Sequence, residues 1–472
     1  MTTPRRRAAA APGRPARTAT LWTQTPDLDP RVLRFTVGDD RYWDSHLLRF
    51  DVLGSLGHIE GLRASGLLTV RDHARLRAGL RRALEAIASG RLTIGADQED
   101  AHSAVEHWLT RRIGKAGERL HTGRSRNDQI ACDLRLFLKD RLSMVGYGAL
   151  SSIAALLEFA NRHQKVLWPG YTHTRRAMPS SAGLWAGAIA EALLDTLETL
   201  PALWGQVDRS PLGSAAGYGT PLPLDRSAAA RALGFRGVEN NVAAVQHGRG
   251  KLEAAALFWC VQLGHDVSRF ASDVILWTAE EYGWLRLPAS LATGSSIMPQ
   301  KRNPDLLELA RARAAALEGD LAAVLALRGK LTSGYHRDFQ LIKEPLIRGL
   351  GRALELFGIA GLVVPRLEVD AARARDAVRG DLLATDEALR RVAQGTPFRS
   401  AYREVAGALR RGLPLPAQAP GTLISRRRSQ GGLGNLGLAL AWTRWRGTLR
   451  WLERERARFD LAMGRLAGTR RR

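Results

Sequence analysis

Four short stretches of this chain carry polar side chains at spacings that could do chemistry. Across residues 294–305 a Gly/Ser loop runs into the start of a helix. Asn303 suits the N-cap, Pro304 the first helical position and Asp305 the positive end of the helix dipole. The open N–H groups of that first turn, with the Lys301 ammonium beside them, favour an anion there, either a substrate carboxylate or a serine alkoxide. The same residues also read as a Gly-Ser turn entering an ordinary capped helix. Residues 121–129, His-Thr-Gly-Arg-Ser-Arg-Asn-Asp-Gln, repeat the design, with arginine forks suited to carboxylates and Asn127 as an amide donor or cap. The plain alternative is an arginine-rich capped loop. Residues 170–179 set His173 just ahead of what reads as another helix, and a lone histidine is structural unless something pairs with it. Gln340 and Lys343, three apart, share a helix face with Tyr335 just upstream, where a solvated polar face is the alternative. Together the four stretches offer donors to an anion with more than one carboxylate.

Such donors need long helices to hold them. Leu252, Ala256, Trp259, Leu263, Val267, Phe270, Val274 and Trp277 recur in steps of three and four, one stripe of a helix. At ~1.5 Å per residue that stripe is close to about 40 Å long. A second long helix follows Pro304, with Leu307, Ala310, Ala314, Leu317, Leu321, Val324, Leu327 and Leu331 spaced alike, and a third follows Asn127 through Ile130, Leu134, Phe137 and Leu138. Stripes this long are buried only against one another, so the middle of the chain reads as an elongated bundle. Strands are scarce. The expected organisation is a disordered basic tail over residues 1–20, an N-terminal helical domain over 21–123, the long-helix bundle over 124–365 and a C-terminal helical domain over 366–472.

Composition agrees with a large helical protein. Length 472 suggests roughly three domains at about 150 residues each, and 45% hydrophobic with 25% charged residues is globular rather than disordered. No stretch approaches the ~20 uninterrupted apolar residues of a membrane span. Two cysteines, Cys132 and Cys260, cannot build a disulfide framework or a four-cysteine zinc site, which suits a reducing compartment and a cytoplasmic location. The formal charge of +24 comes mostly from arginine scattered along helices and thickened at both ends. It is compatible with nucleic acid, membrane surfaces or anionic substrates, but no basic-region, zinc-finger or RNA-binding pattern accompanies it. No His-Glu-x-x-His, phosphate-loop or dinucleotide pattern occurs either.

The segments resemble the fumarase/aspartase superfamily and, within it, the argininosuccinate lyases. The Gly-Ser-Ser-x-Met-Pro-x-Lys-x-Asn-Pro pattern is matched in full from Gly294 to Pro304, and residues 121–129 form the run typical of the argininosuccinate lyase branch. Gly170 to His173, Pro211-Leu212-Gly213 and the Tyr-x-x-Asp-x-Gln-x-x-Lys spacing ending at Lys343 also match. So does Gly54-Ser55-x-Gly57-His58, with Gly57 where alanine is usual. The resemblance implies an all-α, three-domain fold with a long central bundle, a homotetramer whose active sites are shared between subunits, and reversible elimination of fumarate from an N-succinyl compound without metal or other cofactor. It casts Ser295 as general base, Lys301 as electrostatic stabiliser, and His173, paired with Glu308, as proton donor or orienting residue. Ser55, Arg126, Asn127, Thr172, Asn303, Tyr335, Gln340 and Lys343 would hold substrate carboxylates and the amino-acid end.

Tyr402 stands where a histidine is common, and two longer stretches also depart from the pattern. Thr174-Arg175-Arg176-Ala177-Met178-Pro179 replaces the usual Leu-Gln-Arg-Ala-Gln-Pro, and Gly248-Arg249-Gly250 stands where Arg-Asp-Phe is usual. Both leave the presumed elimination residues intact and bear on the amine half of the substrate. The expected activity is therefore argininosuccinate to arginine and fumarate. The alternatives are fumarate release from a different N-succinyl amine or guanidine, a non-catalytic paralogue, and a basic nucleic-acid binder.

Overall fold

Apolar residues repeating in threes and fours become helix through most of the chain, as the sequence predicts. The computed structural model describes residues 29–95, 98–416 and 418–469. The tail expected at residues 1–20 lies outside them. Strands among the described residues form only two-stranded ribbons. The chain divides into two compact units, one drawn from Met1–Leu136, Ser210–Gln246 and Ala462–Arg472, the other from Phe137–Arg209 and His247–Leu461.

In the first unit, helices Leu48–Ala64, Val70–Ala88 and Ala101–Ile113 pack on one another over Leu53, Leu56, Ile59, Leu76, Leu80 and Leu109, all essentially inaccessible. Thr69 caps the second of these through the Asp72 N–H, and Asp100 caps the third through that of Ser103. The helix Arg126–His163 begins in this unit and runs into the other. One of its windows is long and apolar enough to cross a membrane, yet 61% of that window is buried in the protein, as in the core helix of a bundle.

The second unit is built on three long helices, Lys251–Thr278, Asp305–Arg328 and Lys343–Val363. The predicted stripe of the first is buried from Ala256 to Trp277. Small residues let the three axes approach. A Cβ on Gly264 would sit 3.5–3.7 Å from Leu317, Leu356 and Ala314, and one on Gly349 would fall 2.5 Å from Leu257 Cδ2. Asp320, 1% exposed, then ties two of the helices together, accepting two bonds from Arg348 at 2.7 and 2.9 Å and pairing with Arg352. A second buried pair, Lys139 with Asp208 at 2.5 Å, is completed by Arg458.

Candidate active site

Each unit carries its own share of the predicted residues. In the first, helix Leu48–Ala64 presents Asp51, Ser55 and His58 at i, i+4 and i+7, hence on one buried face. Asp51 Oδ2 lies 2.6 Å from His102 Nδ1, and the Ser55 hydroxyl reaches Asp51 Oδ1 at 3.3 Å. Arg124 Nη1 donates to Ser55 Oγ at 2.9 Å, and His58 Nε2 meets the Thr122 carbonyl at 3.0 Å. This polar stripe therefore holds the 121–129 loop against the helix. Burial and the Arg124 charge push His58 well below the usual imidazole range, so its neutral ring donates Nε2–H. Ser55, predicted to hold substrate, is fully buried and occupied within this chain of bonds. Gly57 explains itself here, because a Cβ would fall 2.3 Å from Leu233 Cγ.

The 121–129 loop enters its helix through Ser125 rather than Asn127. The Asn127 N–H points at Ser125 Oγ at 3.3 Å and the Ser125 N–H at Asp128 Oδ1 at 3.0 Å, a reciprocal cap with Asp in the acidic position. Asp128 Oδ2 also accepts the N–H groups of Gly213 and Ala215, both at 3.0 Å, which accounts for the Pro-Leu-Gly match. Arg126 pairs with Glu99 at 2.8 Å and Asp100 at 3.0 Å, and donates to Ser103. Arg124 keeps Nε and Nη2 without partners although buried.

Sequence reasoning missed Asp51, His102 and Asp133. One ligand atom from each lies within 4.8 Å of the others, a set able in type to hold a metal. The direct 2.6 Å bond between His102 and Asp51 instead places a proton there, with the Arg124 charge close by. Burial opposes a charge on His102, but Asp51, by charge and hydrogen bond, then Asp100 and Asp133, outweigh it and hold the ring up to about 10. Burial first, and then the Asp51 charge, push the Asp133 carboxyl well above the usual carboxylate range. The visible signal was the i, i+4, i+7 polar set in an otherwise apolar helix.

In the second unit, the 170–179 stretch is a hairpin and not the approach to a helix. Strand Leu167–Thr172 pairs antiparallel with Arg175–Ser181, and the next helix opens only at Ala182. His173 and Thr174 make the two-residue tip with φ of 53° and 57°. A right-twisted hairpin needs positive φ at both tip positions, at a cost of roughly 1–2 kcal/mol for each non-glycine residue. The hairpin's base is anchored by Trp168, whose ring lies 4.6 Å from that of Trp277 and 5.6 Å from that of Trp185. His173, Thr172, Arg175 and Arg176 are all exposed.

The 294–305 loop also closes differently from the prediction. Thr293 and Gly294 pair with Asn303 and Arg302, so the intervening residues form the loop of a small hairpin. Asn303 is not the N-cap. Its amide donates to the Gly294 carbonyl at 3.3 Å, while Pro304 precedes the helix Asp305–Arg328 without a side-chain cap. Asp305 is engaged by the Thr293 hydroxyl. Ser295 Oγ accepts the N–H groups of Ile297 at 3.3 Å and Met298 at 3.1 Å. Two fixed donors on a hydroxyl oxygen stabilise negative charge there, which makes its alkoxide easier to form. Lys301 stands exposed at the end of the same loop. Glu308 is exposed in the helix's first turn, and among the described residues no bond within one chain joins it to His173.

Tyr335, Gln340 and Lys343 do not share a helix face. Gln340 lies in a tight turn, Arg337–Ile342, and Lys343 opens the helix Lys343–Val363. Lys343 is 4% exposed and so is not part of a solvated face, while Tyr335 is exposed and Gln340 half-buried.

Comparison with known proteins accords with this layout. A family model described as Lyase matches residues 42–319. The argininosuccinate lyase of Sorangium cellulosum is 42% identical over 422 residues, 89% of this chain and 96% of that protein. The argininosuccinate lyase of Thermotoga neapolitana is 39% identical over 82% of this chain and 97% of its own length. Among solved structures, EDDS lyase in complex with formate superposes with a TM-score of 0.79 at 25% identity, covering 94% of this chain and 96% of that one. The class II fumarase of Schistosoma mansoni, at 15% identity and a TM-score of 0.69 over 81% of this chain and 89% of its own, shares the fold. With helical bundle, motif loops and relatives in agreement, this chain belongs to the argininosuccinate lyases of the fumarase/aspartase superfamily.

Proposed function

We propose that this chain is a carbon-nitrogen lyase that reversibly eliminates fumarate from argininosuccinate, releasing arginine, and so serves arginine biosynthesis. The observation that carries the reading is the Ser295 loop, where a hydroxyl oxygen faces two backbone N–H groups at 3.1 and 3.3 Å inside a fully matched family motif. In the forward direction Ser295, having released its own hydroxyl proton to solvent so that it enters the step as an alkoxide, takes a proton from the carbon beside a succinyl carboxylate, and the electron pair left behind spreads onto that carboxylate. The Lys301 ammonium stabilises this charge. The C–N bond then breaks, its electrons leave with the guanidine nitrogen, and a proton delivered by His173 or a group it orients, with Glu308 as its partner, completes free arginine. Ser55, Arg126, Asn127, Thr172, Asn303, Tyr335, Gln340 and Lys343 hold or frame the substrate. For Ser55 and Arg126, bonded inside their own unit, that role is support of the loop that carries Arg124 and Asn127.

The active enzyme is proposed to be a cytoplasmic homotetramer with sites shared between subunits. Its support is the pair of exposed apolar side chains Phe258 and Leu276 on the long helix. A second reading, fumarate release from another N-succinyl amine, is favoured by Arg175 and Met178 on the His173 hairpin, where the family usually carries glutamines. Purified protein given a panel of N-succinyl compounds tests both. Fumarate appearing from argininosuccinate supports the first reading, and release only from another compound transfers the assignment to it.

A further inference from the structure

One buried charge in the second unit is not used by this mechanism. Arg249 is 4% exposed and Glu253, one turn on, is 3% exposed. Their ion pair is loosely made. Arg249 Nε lies 3.4 Å from Glu253 Oε1, while Arg249 Nη1 and Glu253 Oε2 are buried without partners. A guanidinium buried for the sake of its ion pair would take the two-pronged geometry that satisfies both ends. Instead the guanidinium carbon lies 5.4 Å from the centre of the Phe339 ring, within the range of a cation over an aromatic face.

Phe339 sits in the turn Arg337–Ile342 directly before Gln340, is 4% exposed, and its ring centre is 6.0 Å from that of Tyr335. A second clamp lies beside the first. Gly250, in the left-handed region at φ 77°, lets the start of helix Lys251–Thr278 approach so closely that a Cβ would fall 3.1 Å from Ile342 Cδ1. The backbone that carries Tyr335, Gln340 and Lys343 is therefore held from behind by Arg249 and Gly250. They are two of the three residues, Gly248-Arg249-Gly250, by which this chain departs from the family's Arg-Asp-Phe trio.

We propose that Arg249 is a positioning residue for the leaving amine: through Phe339 it fixes the 335–343 segment and so sets affinity for the amine half of the substrate without touching the elimination step. The inference rests on the proposed function and adds one assignment to it: among the substrate-holding residues, Tyr335, Gln340 and Lys343 take the amino-acid end. The test runs the reaction in reverse, where arginine and fumarate have separate KM values. Arg249→Ala is expected to raise the KM for arginine about tenfold, about 1.4 kcal/mol. The KM for fumarate and kcat should stay within about twofold, well inside that tenfold step. Arg249→Lys should recover much of the loss, since an ammonium is also drawn to the ring face. An unchanged arginine KM, or arginine and fumarate KM values rising together, overturns the proposal. If Arg249→Ala does not assemble, Phe339→Leu carries the same test and must show the same split. Should the wild-type protein use another amine from the panel, that amine replaces arginine in the assay. A failed arginine-forming reading thus appears in the wild type, and a failed clamp only in the variants.

Discussion

The proposed elimination asks one hydroxyl to act as a base, and the Ser295 loop offers a setting for that role. With Ile297 and Met298 N–H groups on its oxygen, Ser295 starts part-way toward an alkoxide's surroundings. Ser295→Ala should lower kcat by about 10²–10⁴ while leaving circular dichroism and elution volume unchanged. Normal turnover would remove the serine from the base role. A second single-residue expectation concerns His102, whose folded-state value is held up to about 10, above its unfolded value of about 6.5. A raised value means the folded state binds the proton more tightly. The contribution to stability is therefore full below about pH 6.5, shrinks as pH rises, and is gone above about 10; its full size is on the order of a few kcal/mol. The raised Asp133 carboxyl acts in the same direction from its own lower pH range upward. An imidazole resonance for His102 titrating near 6.5 would contradict this. A midpoint well above 8, with denaturation midpoints falling from about pH 7 to 10 more steeply than in His102→Gln, would agree.

At the scale of elements, periodicity made the long helices legible and tertiary pairing hid the rest. The stripe from Ala256 to Trp277 is a property of one helix, and it is buried as its spacing requires. The hairpin across residues 167–181 was not visible. Pro169 and Gly170 interrupt any strand pattern, and what fixes the pairing is Trp168 among Trp185, Trp277 and Trp284, residues far along the chain. Asn303 failed as a cap for a related reason, since the Thr293 pairing drew it into a ribbon before the helix began. The Asp51, His102 and Asp133 cluster draws on three helices, and only its Asp51-Ser55-His58 edge shows in sequence. Helix approach in the bundle can be tested at Gly349, where an added methyl meets Leu257 at 2.5 Å and Leu317 at 3.1 Å. Gly349→Ala should destabilise the fold by roughly 1–3 kcal/mol through overpacking, although alanine is the better helix former. The double variant with Leu257→Ala should not lose the sum of the two single effects, because the two changes share one space. Denaturant midpoints measured for all three variants decide it.

For the molecule as a whole, the decisive question is what covers the outer face of the long helix. Phe258 and Leu276 are 56% and 46% exposed and lie roughly five turns apart, so they stand on the same side of the Lys251–Thr278 helix. Exposed apolar side chains scattered singly need no cause, and these two, in register on one helix, gain a role only under the proposed assembly. Their occupant is proposed to be the same helix from other subunits, which would also bring His173 of one chain toward Glu308 of another. Phe258→Asp places a charge in that face and should lower the assembled mass in light scattering from tetramer toward smaller species. Activity should fall with the tetramer fraction, while the helical circular dichroism signal of each chain survives. Catalysis that persists in a monomeric Phe258→Asp protein would mean that one chain builds a complete site by itself, and the shared-site arrangement would have to be given up. If wild-type protein is monomeric and active, the same conclusion follows without the variant. A large net charge of +24 opposes close approach of four chains at low salt, so assembly should also strengthen, not weaken, as ionic strength rises through the physiological range.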